Sequence, residues 1–523
     1  MPDHLTIDAL LRRHAGIHPD SAAVIDPDTR VSYRDLDADT RELAAAFIEA
    51  GIGKGTRVGL IMPNSARWVC IALALTRIGA VLVPLSTLLA PRELVAQLRT
   101  AAVRVLISVP EFRGHRYLDG LAAEIGPLEP QPLATAELPA LRRIWTPDQV
   151  GDLAASAGAA GIVDAMAAGV VPSDPLAVMF TSGSSGPPKG VLHSHGNALG
   201  AVAAGLDARC IDADTRLYLP MPFFWVGGFG GGVLSALVAG ATLVTEEKPQ
   251  PHTTLRLLER ERVTLFRGWP DQAEALARHR ESVGADLSSL RPGSLEALLP
   301  PDQRADRGAR ANLFGMTESF GPYCGYRADT DMPRSAWGSC GKPFPGMEVR
   351  IVDPDSGAPV PAGTVGEIQL RGPHLMRGIC RRSREEVFTP DGFYPTGDLG
   401  RLDADGFLFY HGRRDDMFKV SGATVYPGEV ADALRSIDGV RAAYVTDVAD
   451  GRGGDRVGAA VVGTVTDVGQ LRREARKLLS SFKVPTVWLL LDSDDAVPRR
   501  ATGKVDVNRL RDLLATHPDR VVT

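Results

Sequence analysis

The sequence predicts an α/β protein with a smaller α+β unit toward its C-terminal end. Three observations point there. The first half alternates helix-like and strand-like segments, short strands take over from about Gly338, and mixed segments fill roughly the last hundred residues. A chain of 523 residues has room for more than one domain.

Each element has a reason. "SYRDLDADTRELAAAFIEAG" carries apolar residues at helical spacing and ends at Gly51. "RVGLIM" is an apolar strand, "SARWVCIALALTRIGA" a helix, and "VLVPLS", "PRELVAQLRTA" and "VRVLISV" continue the alternation as strand, helix and strand. The alanine-rich piece from about Leu153 to Val171 has weak patterning and is expected to be a loosely packed connection. "LAVMF" (Leu176 to Phe180) is a further strand. From Leu217 to Thr245 no residue is charged, a length that could cross a bilayer, but Pro220, Pro222 and a run of glycines break it into a turn, a short helix and a strand. "EVRIVD", "GEIQLRG" and "GFLFYHG" are the later short strands. "EVADALRSI", "VRAAYVTDV", "RVGAAVVG" and "VGQLRREARKLLSSF" build the smaller unit, with its boundary near "GRRDD".

The composition excludes several classes. A net charge of -5 without a long basic run argues against nucleic acid as a partner. Cys70, Cys210, Cys324, Cys340 and Cys380 are scattered with no C-x-x-C spacing, so neither a zinc site nor a disulfide framework is expected, and a reducing cytoplasm fits. The first residues lack the apolar core of a signal peptide, and no membrane span is expected.

Chemistry concentrates in a few motifs. "TSGSSGPPKG" follows the strand at Phe180. Thr181, Ser182, Ser184 and Ser185 are short donors, Gly183 and Gly186 let backbone N–H groups approach a ligand, and Lys189 adds one cation. Such a set suits a polyanionic phosphate, although the Walker spacing is absent; an ordinary surface loop is the alternative. In "NLFGMTES", Thr317 and Glu318 pair a hydroxyl with a carboxylate, which suits a magnesium–phosphate centre. Asp398 in "TGDLG" suits ribose hydroxyls, Arg413 suits phosphate or ribose oxygens, and Lys504 stands on a Gly503 turn in "PRRATGK". Helix capping for Thr317 and Asp398, and solvated charge for Arg413 and Lys504, are the alternatives for each taken singly. Their joint order and spacing speak against coincidence.

These segments, in this order, resemble the adenylate-forming superfamily of acyl-CoA synthetases, adenylation domains and luciferases over nearly the whole chain. The resemblance implies a large N-terminal domain, residues 1–414, of layered sheets and helices with a β-barrel-like subdomain, and a small mobile C-terminal domain, residues 415–523. It implies that Thr181, Ser182, Gly183, Ser184, Ser185, Gly186 and Lys189 hold the ATP phosphates, and that Phe314, with Gly315 and Met316, lines the adenine site. Thr317 would contact the α-phosphate, Glu318 would hold Mg²⁺, and Asp398, Tyr410 and Arg413 would surround the ribose. Lys504 would bridge carboxylate and α-phosphate, Asp415 would be the hinge, and Lys419 and Gly422 would line the path of coenzyme A.

The implied activity is an AMP-forming acyl-CoA ligase working through acyl-AMP. "PFFWVGGFGGG" resembles the segment that borders the acyl pocket. Phe224 and Trp225 offer apolar surface there and Gly227 leaves volume, so a bulky hydrophobic carboxylic acid, a long acyl chain or a fused-ring acid, is the expected partner. Simple core packing is the alternative for these aromatics. An acyl-AMP ligase loading a carrier protein, a luciferase-type oxygenase and a non-catalytic nucleotide-binding regulator are the competing functions; a homodimer is compatible with all of them. One departure stands out. Relatives place a Gly-Gly turn that cups adenine ahead of "FGMTES", whereas here the region reads "LRPGSLEALLPPDQ", and Leu313 takes the place of the glycine before the aromatic. Gly293 and Ser294 are the candidates to stand in. An enzyme weak in adenylation but competent with supplied acyl-AMP is therefore a further expectation.

Overall fold

The structure is a computed structural model describing residues 6–156, 158–181, 189–420, 423–449, 455–479, 481–500 and 503–523. The chain divides into two compact units, Met1–Val349 with Leu370–Tyr394, and Arg350–Gln369 with Pro395–Thr523. The expected hinge turn, Arg414–Asp416, lies inside the second unit.

The first unit is α/β. Its larger sheet has the strand order Gly378–Ile379, Lys189–Ser194, Pro175–Thr181, Val81–Pro84, Arg57–Ile61, Val105–Ser108, Arg143–Trp145. From Pro175–Thr181 onward neighbours are parallel, and Lys189–Ser194 runs antiparallel to both of its neighbours. The helices Tyr33–Glu49 and Ala66–Arg77 start where short polar side chains cap them: Ser32 accepts from the Asp35 amide and Ser65 from the Trp68 amide. A second sheet sets Leu265–Phe266, Arg216–Tyr218, Thr242–Val244 and Ala22–Ile25 in parallel, with Arg30–Ser32 antiparallel at its edge. A small antiparallel sheet of Phe314–Met316, Gly321–Gly325 and Lys342–Pro343 carries the "FGMTES" segment.

The uncharged stretch folds as expected of a buried, interrupted segment. Val226–Gly228, Phe229–Leu234 and Ser235–Ala239 form a helical passage with a π-helical middle, followed by the strand Thr242–Val244. Among the described residues no helix is long and apolar enough to cross a membrane. The alanine-rich connection differs from expectation: Ala159–Ala168 is a helix, with Val163 fully buried and Asp164 paired to Arg12 at 2.5 Å and also to Arg41. Alanine's helix propensity and one apolar contact line are enough to dock it on the Tyr33–Glu49 helix.

The second unit has a four-stranded sheet in the order Glu348–Val352, Gly366–Arg371, Tyr394–Leu402, Leu408–Arg413. It continues with a hairpin, Phe418–Val420 and Ala423–Val425, and a sheet of Val440–Ala449, Asp455–Gly463, Val487–Leu491 and Val521–Val522. The helices Pro427–Arg435, Val468–Leu478 and Val507–Thr516 cover it, around a core that includes Trp488 and Leu471.

Candidate active site

Two antiparallel strands present the phosphate-binding candidate. Thr181 pairs directly with Lys189 where the two antiparallel strands end, and both residues are half-buried. Ser182, Gly183, Ser184, Ser185 and Gly186 lie outside the described residues.

Thr317–Ser319 is one tight turn between Phe314–Met316 and Gly321–Gly325. Ser319 Oγ holds it closed, accepting the Met316 amide at 3.2 Å and donating to the Gly321 carbonyl at 2.7 Å. Phe320 leaves the turn with φ at 53°, a left-handed conformation unusual for a bulky residue. Glu318 is 6% exposed, and one carboxylate oxygen accepts the Tyr394 hydroxyl at 3.0 Å. A single buried carboxylate on the turn fits Mg²⁺, which takes one or two carboxylates beside phosphate oxygens and water; no cluster of three or more metal-ligating side chains exists among the described residues.

Phe314 is half-buried, its ring at 5.6 Å from that of Tyr323 in an edge arrangement; Gly315 and Met316 follow it on the strand. Leu313 is accommodated because residue 325 is glycine: a Cβ there would lie 2.6 Å from Leu313 Cδ2. Of the two candidates for the missing glycine turn, Gly293 has the positive φ of such a turn, 96°, whereas Ser294 is engaged elsewhere. Ser294 is buried with its Oγ accepting the Phe266 amide at 3.1 Å, and Glu296–Leu298 forms a tight turn in which Glu296 accepts the Ala305 amide at 3.0 Å.

The acyl segment carries an aromatic edge. The Phe224 and Trp225 ring centroids lie 5.1 Å apart, and Trp225 meets Trp269 at 5.7 Å, both edge to face. Trp269 is 37% exposed, so this edge reaches solvent. Phe223 points the other way, fully buried against Trp68 at 5.1 Å. Gly227 and Gly228 follow; at Gly228 a Cβ would stand 2.0 Å from the Pro222 carbonyl oxygen, so only glycine fits. Asn64 fixes the segment from the first sheet, donating to the Met221 carbonyl and accepting the Phe223 amide, each at 2.9 Å. Sequence reasoning missed Trp269 and Asn64, because neither sits in a motif and both act through partners distant in the chain.

In the second unit Asp398 and Arg413 are register partners on adjacent strands. Arg413 Nη1 donates to Asp398 Oδ1 and to the Thr396 carbonyl, both at 2.9 Å. Tyr410, on the same strand as Arg413, is 36% exposed. Lys504 is exposed at the end of a hairpin closed by Gly503 N–H to Arg500 O and Arg500 N–H to Lys504 O, each 2.8 Å. Lys419 falls on the strand Phe418–Val420, Asp415 in the turn Arg414–Asp416, and Gly422 outside the described residues.

Two histidines beside the hairpin are held neutral. Burial pushes His193 down to about 3 and His195 down to about 4 from an ordinary 6.5. The unfolded chain therefore takes up protons below about pH 6.5 that the native fold refuses, and stability falls as pH drops through that window. Chemical unfolding of the protein should show an unfolding free energy that declines between pH 6.5 and 5, by at most about 4 kcal/mol for the two rings together. A flat profile over that range would contradict the buried neutral assignment.

A phosphate-type hairpin, a hydroxyl–carboxylate turn and an adjoining apolar segment on layered sheets define an adenylate-forming enzyme. The chain belongs to the AMP-binding enzyme family, whose model matches residues 11–380, and it is an acid–thiol ligase of the AMP-forming acyl-CoA synthetase type. It is 34% identical, over 98% of its length and 99% of the relative's, to a Mycobacterium tuberculosis ligase that joins CoA to a methyl-dioxo-octahydroindenyl-propanoyl group. It is 30% identical to the indoleacetate–CoA ligase of Aromatoleum aromaticum, covering 96% of this chain and 97% of the other. Among solved structures, the fold matches the anthranilate CoA ligase AuaEII in complex with anthranoyl-AMP, with a TM-score of 0.79, 24% identity and 98% of each chain covered.

Proposed function

We propose that this chain activates a bulky, ring-bearing hydrophobic carboxylic acid with ATP and transfers the acyl group from acyl-AMP to coenzyme A. The observation that carries the reading is the Phe224–Trp225–Trp269 edge on a glycine-dense helical passage, which lies against the Thr317–Glu318 turn through the contact of Gly230 with Phe320. The relatives named above, which act on ring-bearing acids, support it.

In the first step a carboxylate oxygen attacks the α-phosphorus and pyrophosphate leaves. A carboxylate is a poor electrophile, and the mixed anhydride replaces its charge with a good leaving group. The step crowds negative charge, so donors and cations placed beforehand stabilise its transition state. Thr181 and Lys189 at the hairpin base, Thr317 on the turn and Lys504 on its hairpin are the groups we assign to that task. Glu318 would hold Mg²⁺, which when bound neutralises phosphate charge. Asp398, Tyr410 and Arg413 would bind the ribose, the Asp398–Arg413 pair fixing each other's orientation. In the second step the thiol attacks the acyl carbon and AMP leaves. We assign the approach of coenzyme A to the segment bearing Lys419 and Gly422, brought into place by rotation of residues 415–523 about Asp415. We place the enzyme in the cytoplasm, in keeping with five cysteines that are all free thiols.

A panel of acids assayed for CoA thioester tests the substrate class. Aryl-alkanoic and fused-ring propanoic acids should exceed acetate and free amino acids by at least about 100-fold in kcat/KM, since one methylene of apolar burial already gives roughly tenfold or more. Preference for acetate or for a zwitterion would refute the pocket assignment.

The lost glycine turn favours a second reading, an enzyme slow in adenylation and efficient with supplied acyl-AMP. Engagement of Ser294 by the Phe266 amide and the bulk of Leu313 support it.

A further inference from the structure

His193 lies just beyond the phosphate hairpin, on the strand Lys189–Ser194, and is fully buried. Its Nε2 lies 2.9 Å from the Thr317 carbonyl oxygen, and its Nδ1 lies 2.8 Å from Asn197 Nδ2. A carbonyl oxygen only accepts, so Nε2 carries the proton and Nδ1 accepts from the Asn197 amide. Asn197 has no freedom to turn over. Its Oδ1 accepts the Ser194 amide at 2.6 Å, and its Nδ2 also donates to the His374 carbonyl at 3.2 Å. The tautomer of His193 is thus fixed by a network in which both ring nitrogens have partners. A ring buried this deeply stays neutral across the working pH range, so the donor is permanent.

The same ring also meets Phe320 edge to face, with centroids 4.7 Å apart. Phe320 is the residue in the left-handed conformation immediately after the Thr317–Ser319 turn. Such a conformation is costly for a bulky residue and persists only where its surroundings hold it. On its other side Phe320 packs on Phe229 at 6.2 Å and would lie 3.1 Å from a Cβ at Gly230. One side chain therefore grips the turn at its first residue by a hydrogen bond and at its exit by ring packing, and that exit residue leans on the helical passage of the acyl segment.

We propose that His193 is a positioning residue for adenylation, orienting the Thr317–Glu318 turn and, through Phe320, joining that turn mechanically to the acyl segment. This rests on the assignment of Thr317 to the α-phosphate.

The test compares His193→Phe, His193→Gln and Thr317→Ala in acid-dependent pyrophosphate exchange and in thioester formation from synthetic acyl-AMP and CoA, at a temperature where circular dichroism shows each variant folded. His193→Phe keeps a ring but loses both hydrogen bonds. Because a misplacement of about 1 Å can cost on the order of 100-fold, kcat for exchange should fall at least about 30-fold, with KM for ATP and acid changed less than about threefold. Thioester formation from acyl-AMP should change less than about threefold, and His193→Gln, which returns a donor, should recover at least about fivefold of the lost exchange. Equal loss in both half-reactions, or no loss in His193→Phe while Thr317→Ala is impaired, would overturn the proposal. Unimpaired exchange in Thr317→Ala would instead refute the assignment of Thr317, and the proposal with it.

Discussion

Lys504→Ala lowers acid-dependent exchange of pyrophosphate into ATP by at least about 100-fold, equivalent to about 3 kcal/mol of barrier, and spares most of the thioester formation from supplied acyl-AMP. The reason is the timing of charge. Negative charge accumulates at the α-phosphate only while the carboxylate attacks and pyrophosphate leaves, so a cation aimed there lowers that barrier and no later one. Lys504 is the residue to which we assign that task. It is exposed, and its hairpin is pinned by Arg499, which donates to the Gly503 carbonyl at 3.0 Å and pairs with Asp494. Tyr444 also binds Asp494, tying the hairpin to the long strand Val440–Ala449. An exposed side chain thus stands on a hydrogen-bonded base, and truncation to alanine removes the charge without removing those bonds. Loss of equal size in both half-reactions would show that Lys504 acts in binding or folding instead.

Asp415→Pro should separate the half-reactions more completely, abolishing one and leaving the other within about tenfold of its normal rate, because proline fixes φ near -65°. Asp415 is the middle residue of the turn Arg414–Asp416, closed by the Met417 amide to the Arg414 carbonyl at 3.3 Å. In the proposed mechanism two different groups reach one acyl carbonyl in succession, Lys504 for the first step and the Lys419 segment for the second. A domain that rotates about one turn meets that requirement. Single-turnover measurement of each step would detect the trapped state. Normal rates for both would remove Asp415 from the hinge.

Much of the fold was legible because apolar segments alternated with capped helices: the strands at Arg57–Ile61, Val81–Pro84 and Val105–Ser108 follow directly from "RVGLIM", "VLVPLS" and "VRVLISV". The helix Ala159–Ala168 was not, because alanine leaves a weak apolar pattern and its docking depends on Arg12 and Arg41, far away in sequence. The same physics divides the site. Thr181, Lys189, Thr317 and Glu318 could be put forward as candidates because a phosphate needs donors, a cation and a metal-binding carboxylate at short spacing. His193 meets the Thr317 carbonyl across 124 residues of chain, and Asn64 meets Phe223 across 159, so their tasks appear only once the sheets and turns have placed them. The replacement of the glycine turn was visible as a departure in the sequence. That the Ser294 hydroxyl is turned to the Phe266 amide was not.

The central claim is that this chain performs both half-reactions on a bulky hydrophobic acid. Acid-dependent exchange of labelled pyrophosphate into ATP, run with an aryl-alkanoic acid and Mg²⁺ beside a thioester assay from synthetic acyl-AMP and CoA, tests it most directly. The account predicts exchange that requires the acid, together with efficient thioester formation from the adenylate. Thioester formation without any exchange, for every ring-bearing acid offered, would contradict it and leave an enzyme that uses acyl-AMP without making it.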